Sequence, residues 1–286
     1  MNFNYSKLIT IVSITLLIYC TNLFAQTDTS KHSAWKPSGV AGFNVNQMAL
    51  TNWSQGGESS IVWSIIGNFG LKYQADSIVF DNRLKATFGM SKQGTNNFIN
   101  NDNEFYLEDV LAYKFGWAVD PFFSNSVKTV LANGYDYKDS LHKQISAFFD
   151  PAYITQSLGF SYGNASKFAT RLGIALQEII TQKFHNYSDD PKTSKIETFK
   201  LETGIESVSD LTMKLDENLL YSTKLRLFTR FKNLDVWDVR WDNMITAKIN
   251  KYLNVNLNIL VVHQIDQTLK TQVKEALQIG LTYNLF

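Results

Sequence analysis

Leu253-Asn254-Val255-Asn256-Leu257-Asn258-Ile259 puts an aliphatic side chain at every odd position and an asparagine at every even one. A helix would scatter the two kinds around its surface, whereas a strand sends them to opposite faces. The flanking segments keep the same period. After this stretch, Leu277, Ile279, Leu281, Tyr283 and Leu285 oppose Gln278, Gly280, Thr282 and Asn284. Before it, Trp237, Val239, Trp241, Ile245, Ala247 and Ile249 oppose Asp238, Arg240, Asp242, Thr246, Lys248 and Asn250.

Working upstream, one face of each segment stays apolar: Ile61, Trp63, Ile65 and Phe69, then Phe80, Leu84 and Phe88, then Phe105, Leu107 and Leu111. Further on come Ile154, Leu158 and Phe160, then Leu172, Ile174 and Leu176, then Leu225 and Leu227. The periodicity predicts strands near 38–48, 58–74, 77–91, 103–118, 120–135, 149–164, 166–182, 195–209, 211–231, 235–250, 252–266 and 272–286. The segments near 38–48 and 120–135 carry it least clearly. Phe, Tyr and Trp together make up 14% of the chain and favour strands, and the four prolines fall at strand starts or in loops.

Alternation alone does not say which face meets water. Three features point to an apolar exterior. The segments are longer than the ~5–6 residues usual in soluble proteins and exceed the ~9–11 needed to cross a bilayer at a tilt. Their polar faces carry rows of charge: Arg83, Lys85, Glu108, Lys114, Arg171, Lys200, Glu202, Glu206, Lys224, Arg226, Arg230, Asp238, Arg240, Asp242 and Lys248. These are candidate lumen-lining residues. The connections also alternate, with tight turns near 75–76, 119, 165, 210 and 251 against long polar loops at 92–102, 136–148 and 183–194. The 232–235 connection breaks that rule. The expected fold is all-β, a closed antiparallel transmembrane β-barrel of about 12 strands with short periplasmic turns and longer extracellular loops. A soluble barrel with an apolar core is the alternative.

The first 25 residues differ in kind. Lys7 precedes an apolar run from Leu8 to Tyr19, and Leu23-Phe24-Ala25 offers a small residue before Gln26. That order is the pattern of a secretory signal peptide, and the run is short of the ~20 residues of a membrane-spanning helix. Lipidation at Cys20, the chain's single cysteine, is disfavoured by the bulky Tyr19 before it. The expected organisation is a signal peptide at 1–25, a periplasmic segment at 26–37 and a barrel at 38–286. Once Cys20 is removed, no disulfide or cysteine metal site is possible. Losing Lys7 from the 27 basic residues balances them against the 26 acidic ones, so nothing favours nucleic acid.

Asn44-Val45-Asn46-Gln47, Leu50-Thr51-Asn52-Trp53-Ser54-Gln55-Gly56-Gly57-Glu58-Ser59, Asn103-Glu104-Phe105 and the ending Gly280-Leu281-Thr282-Tyr283 carry a resemblance. The chain resembles an uncharacterised family of outer-membrane barrel proteins from the Bacteroidota, defined as a domain of unknown function. The resemblance spans nearly all of the chain after residue 25 and implies a barrel and a location. It implies no activity and assigns no catalytic or binding residue.

Signs of chemistry are weak. Gly159-Phe160-Ser161-Tyr162-Gly163 matches the Gly-x-Ser-x-Gly nucleophile pattern but reads as a strand, not the sharp turn that chemistry needs. His32, His142, His185 and His263 are scattered, with no metal-ligand spacing. His142 and His185 share an end of the barrel with Asp136, Asp139, Asp189 and Asp190, and a solvated loop is the better reading. Asn100-Asn101-Asp102-Asn103-Glu104 is rich in oxygen but lacks the spacing of a calcium loop. Trp53 with Gly56-Gly57 reads as a turn ahead of a recognition loop, and Trp117, Trp237 and Trp241 fall toward strand ends like girdle residues. No catalytic residue, metal or cofactor is expected. The expected function is a narrow channel for small solutes or a structural membrane protein. Its partners would be outer-membrane lipid, the barrel assembly machinery and small solutes. An outer-membrane enzyme and a barrel for an apolar ligand are the alternatives.

Overall fold

The computed structural model describes residues 35–285 except 53, 55, 56, 76, 138–141, 165, 166, 266 and 267. The expected signal peptide, Cys20, His32, Trp53, Gly56, Asp139 and Phe286 lie outside the described residues.

The strands are β1 (Trp35–Met48), β2 (Ser60–Ala75), β3 (Ile78–Gln93), β4 (Ile99–Tyr113), β5 (Asp120–Thr129), β6 (Gly134–Asp136) and β7 (Lys143–Ser146). They continue with β8 (Ala152–Asn164), β9 (Phe168–Ile180), β10 (Phe199–Asp216), β11 (Leu219–Arg230), β12 (Asn233–Lys248), β13 (Leu253–His263) and β14 (Gln272–Asn284). All but β6 and β7 close into one antiparallel barrel in the order β1-β2-β3-β4-β5-β8-β9-β10-β11-β12-β13-β14, with β14 back on β1. The fold is therefore the closed barrel of twelve strands that the alternation predicts. β6 and β7 pair as a separate small hairpin within the 130–151 connection.

The faces are inverted relative to a soluble protein. Leu158 is 66% exposed, Ile174 61%, Val273 65% and Leu277 58%, whereas Glu108, Glu202 and Asp238 are each only 3% exposed. Because successive strand residues point to opposite sides, the apolar set covers the outside and the charged set fills the inside. Aromatic rings gather where strands end. Tyr113, Phe115 and Trp117 stack in sequence at 4.6 and 4.9 Å, and Trp35 sits 4.7 Å from Tyr73. Trp237 and Trp241 both face outward, and the Trp241 indole N–H donates to Thr223 Oγ1 at 2.8 Å.

The hairpin expected to turn at 210 turns later: β10 runs through Asp210 to Asp216, and the turn lies at 217–218. Asp210 is an inward strand residue, and Leu211, Met213 and Leu215 continue the outer face beyond it. With that turn moved, one end of the barrel has the connections 76–77, 114–119, 165–167, 217–218 and 249–252. The other end has 49–59, 94–98, 130–151, 181–198, 231–232 and 264–271. The loop read as 92–102 shrinks to 94–98, because β3 and β4 extend further than expected. The strand read as 120–135 stops at Thr129, and β1 opens at Trp35 rather than at 38.

The deciding asparagines secure the closure. Asn44 on β1 and Asn254 on β13 both lie opposite Gly280 of β14. Asn256 donates to Asn254 Oδ1 at 2.7 Å and to Asn44 Oδ1 at 3.3 Å, and Asn254 donates to Thr282 Oγ1 at 2.9 Å. Gly280 has no Cβ, and that space is where the three amides meet.

Candidate functional site

Charge concentrates in the lumen, and the lumen's geometry follows from strand parity. On β4 the even residues Glu104, Tyr106 and Glu108 point inward together, and on β11 Lys224, Arg226 and Arg230 do the same. The barrel curvature then brings distant strands face to face. Glu108 accepts from Arg171 of β9 and from Lys224 of β11, each at 2.6 Å. Glu104 accepts from Arg240 of β12 at 2.8 Å, across the full width of the barrel, and has Lys85 at 3.7 Å. Arg83 reaches Asp81 at 3.0 Å on its own strand and Asp210 on β10 at 3.2 Å.

A second cluster lies along β8 to β12. Arg226 donates to Glu206 at 2.7 Å and to Gln177 at 3.0 Å, and Ser157 also donates to Glu206. Glu202 accepts from Arg230 at 2.8 Å and pairs with Lys200 at 3.0 Å. Arg230 also reaches Asp238 at 2.9 Å, and Arg240 holds Asp242 at 2.8 Å. Small inward residues leave room for these long side chains. Gly159 and Gly173 face each other across β8 and β9, so close that a Cβ on either would strike the other strand's backbone.

Two expected lumen residues stand apart. Lys114 follows the end of β4 and lies exposed in the 114–119 connection, where its backbone N–H bonds Ser77 O at 2.7 Å. Lys248 is the exposed last residue of β12 at the rim. Sequence reasoning left out Glu104, Asp210 and Lys128. Glu104 shares parity with Glu108 and was there to be found.

At the long-loop end, side chains tie the connections down. The Asp150 carboxylate accepts the backbone N–H groups of Gln182 at 3.0 Å and Lys183 at 2.7 Å, joining two loops. Glu197 accepts from the Thr193 hydroxyl at 2.5 Å and from the Asp190 N–H at 3.0 Å. The Thr193 hydrogen bond first, with the Asp190 N–H behind it, holds that carboxyl below its ordinary range. Burial raises the Tyr187 phenol.

The other motifs resolve into structural roles. Ser161 lies within β8 and donates to Asp120 O at 3.1 Å. Asn100 to Glu104 belong to β4, not to a loop. Asp102 pairs with Lys274 at 2.6 Å, and Asn103 binds Ala132 O at 2.6 Å and Leu131 N at 2.9 Å. His142 packs on Tyr137, His185 meets Thr181 Oγ1 at 3.3 Å, and His263 meets Thr271 Oγ1 at 3.2 Å.

Comparison with known proteins adds the following. The chain is similar in structure to the COG4313 outer membrane channel from Pseudomonas putida F1, with 12% identity, a TM-score of 0.40, and 91% of this chain and 98% of that one covered. It is similar to the translocator domain of the autotransporter NalP from Neisseria meningitidis, with 8% identity, a TM-score of 0.35 and 90% of each chain covered. The CymD monoaromatic hydrocarbon channel gives 7% identity, a TM-score of 0.33, and coverage of 90% of this chain and 89% of that one. The barrel assignment rests on the strand pairing itself. No curated protein matches the chain. Residues 45–135 match the family model described as protein of unknown function (DUF3078), a stretch that runs from the end of β1 to β6 and stops well short of the Gly280 ending.

Proposed function

We propose that this is an outer-membrane β-barrel of a Gram-negative bacterium, exported by its signal peptide, that serves as a narrow passage for small solutes. The observation that carries the reading is a charged lumen, spanned from wall to wall by ion pairs, inside an apolar exterior. Lipid is the natural solvent for Leu158, Ile174 and Leu277, and a hydrated lumen is the natural one for Arg226 and Glu206. Twelve strands enclose less space than the 16–18 of open porins, and the crossing side chains narrow it further. The barrel assembly machinery is the expected partner in insertion. No catalytic role is assigned to any residue.

The test is conductance of the purified protein in planar bilayers. Small steps are expected for the wild type, with larger steps for Glu108→Ala, which removes the carboxylate joining β4, β9 and β11. The same cross-lumen ion pairs favour a second reading, a structural barrel held shut. Silence from both proteins would select it. Recovery of the protein in the soluble periplasmic fraction would end the membrane reading altogether.

A further inference from the structure

We infer that the lumen holds a binding site for a small oxyanion, a free or solute-borne phosphate or carboxylate group, with Lys128 as its cationic anchor. The inference rests on the passage reading and names the class of solute. β5 places Lys128 on the inner face beside Ser126, directly opposite Tyr106 on β4 and Tyr153 on β8. These residues border a cavity of about 220 Å³ lined by five cations, Lys85, Lys128, Lys224, Arg226 and Arg240, and two carboxylates, Glu104 and Asp242.

Four of the cations have a carboxylate each. Lys224 has Glu108, Arg226 has Glu206, Arg240 has Asp242, and Lys85 has Glu104. Lys128 has none within 4.0 Å among the described residues, and its ammonium makes no hydrogen bond to any of them. The carboxylates nearest in its surroundings, Glu104 and Asp242, are already taken by Arg240. Arg226 and Arg240 meanwhile add positive charge around it.

A cation left without a partner at a cavity wall favours an anionic occupant, since a low-dielectric surround strengthens the attraction. The lysine offers three donors, and the hydroxyls of Ser126 and Thr155 offer neutral ones. Ligand pockets usually span ~300–1,000 Å³, so this volume suits a small group. A second cavity of about 260 Å³ shares Glu104, Lys128, Tyr153 and Arg240 with the first and continues past Pro151 and Tyr187. Lys128 thus stands between the inner space and the long-loop end.

Calorimetric titration of the folded barrel in detergent with inorganic phosphate, at low ionic strength, tests this. Saturable binding is expected for the wild type. It should weaken tenfold or more in Lys128→Gln and stay unchanged in Lys192→Gln, which alters an exposed loop. Heat-shifted migration on gels would establish that each variant is folded. A folded wild type that fails to bind phosphate, or a Lys128→Gln barrel that binds it as well, would overturn the site. Calorimetry needs no current, so a barrel that binds phosphate yet never conducts would sink the passage and spare the site. A barrel that conducts without binding would do the reverse.

Discussion

The Lys224 ammonium lies 2.6 Å from Glu108 Oε2 although β5, β8, β9 and β10 stand between their strands around the wall. The same carboxylate holds Arg171, so one side chain ties three strands through the lumen. Removing it strands the buried Arg171 and the half-buried Lys224. Glu108→Ala should cost about 3 kcal/mol, the lower end for a broken buried pair, because Lys224 keeps some contact with solvent. Urea unfolding in micelles would measure it. A Glu108→Met, Arg171→Met, Lys224→Met triple variant should lie closer to wild type, since no member of the cluster is left without its partner.

The two faces of β13 are chemically distinguishable. Asn254 and Asn256 are buried inward, while Leu253, Val255, Leu257 and Ile259 belong to the outer set. With Cys20 replaced, single cysteines at 253, 255, 257 and 259 should react with a lipid-soluble reagent in vesicles, and those at 254, 256 and 258 should not. An arginine at Leu257 should cost ~2–4 kcal/mol if it sits near the bilayer midplane. Protection of the odd set would mean that the apolar face is a protein core.

The closing seam has little tolerance for bulk. A Cβ on Gly280 would come within 2.6 Å of Asn44 Oδ1 and 2.7 Å of Asn256 Nδ2. Gly280→Ala should therefore destabilise by about 1–3 kcal/mol, the range for overpacking. The temperature at which the folded band disappears on gels reports the effect. Adding Asn254→Ala should return part of the loss by making room.

The 181–198 loop should loosen in acid. Glu197 has a depressed folded pKa, so its hydrogen bonds stabilise the loop above the ordinary carboxylate range and are lost as pH falls through the lower folded value. Amide exchange at Asp190 and protease cutting between 188 and 197 should rise below about pH 4, where such carboxyls titrate, and stay flat between pH 6 and 8. Thr193→Val should move the onset to higher pH by removing the hydroxyl donor.

Strand number, antiparallel order and inner face were legible because a period of two survives in nearly every segment. The exceptions are instructive. β5 carries Phe122 inward and Phe123 outward, which blurs the alternation and kept Lys128 out of view. Asp210 looked like a turn residue because a lone aspartate between two apolar runs ordinarily is one, and its partners Arg83 on β3 and Lys224 on β11 give it an inward role. Parity says that Glu108 and Lys224 both face the lumen, but not that they share a level. That depends on the stagger between strands, which accumulates around the barrel and is written in no local stretch of sequence.

The meeting of Asn44, Asn254 and Asn256 over Gly280 bears on how the barrel comes to be closed. β1 and β14 lie at opposite ends of the chain, so no turn sets their alignment as turns set it for hairpin neighbours. A slip of one residue would turn Asn44 toward lipid, bring Phe43 into the lumen, and leave the amides of β13 without the gap that receives them. Only one alignment satisfies all three asparagines, so the seam acts as a combination lock, and a barrel joined in any other register is left with a weak edge that can reopen.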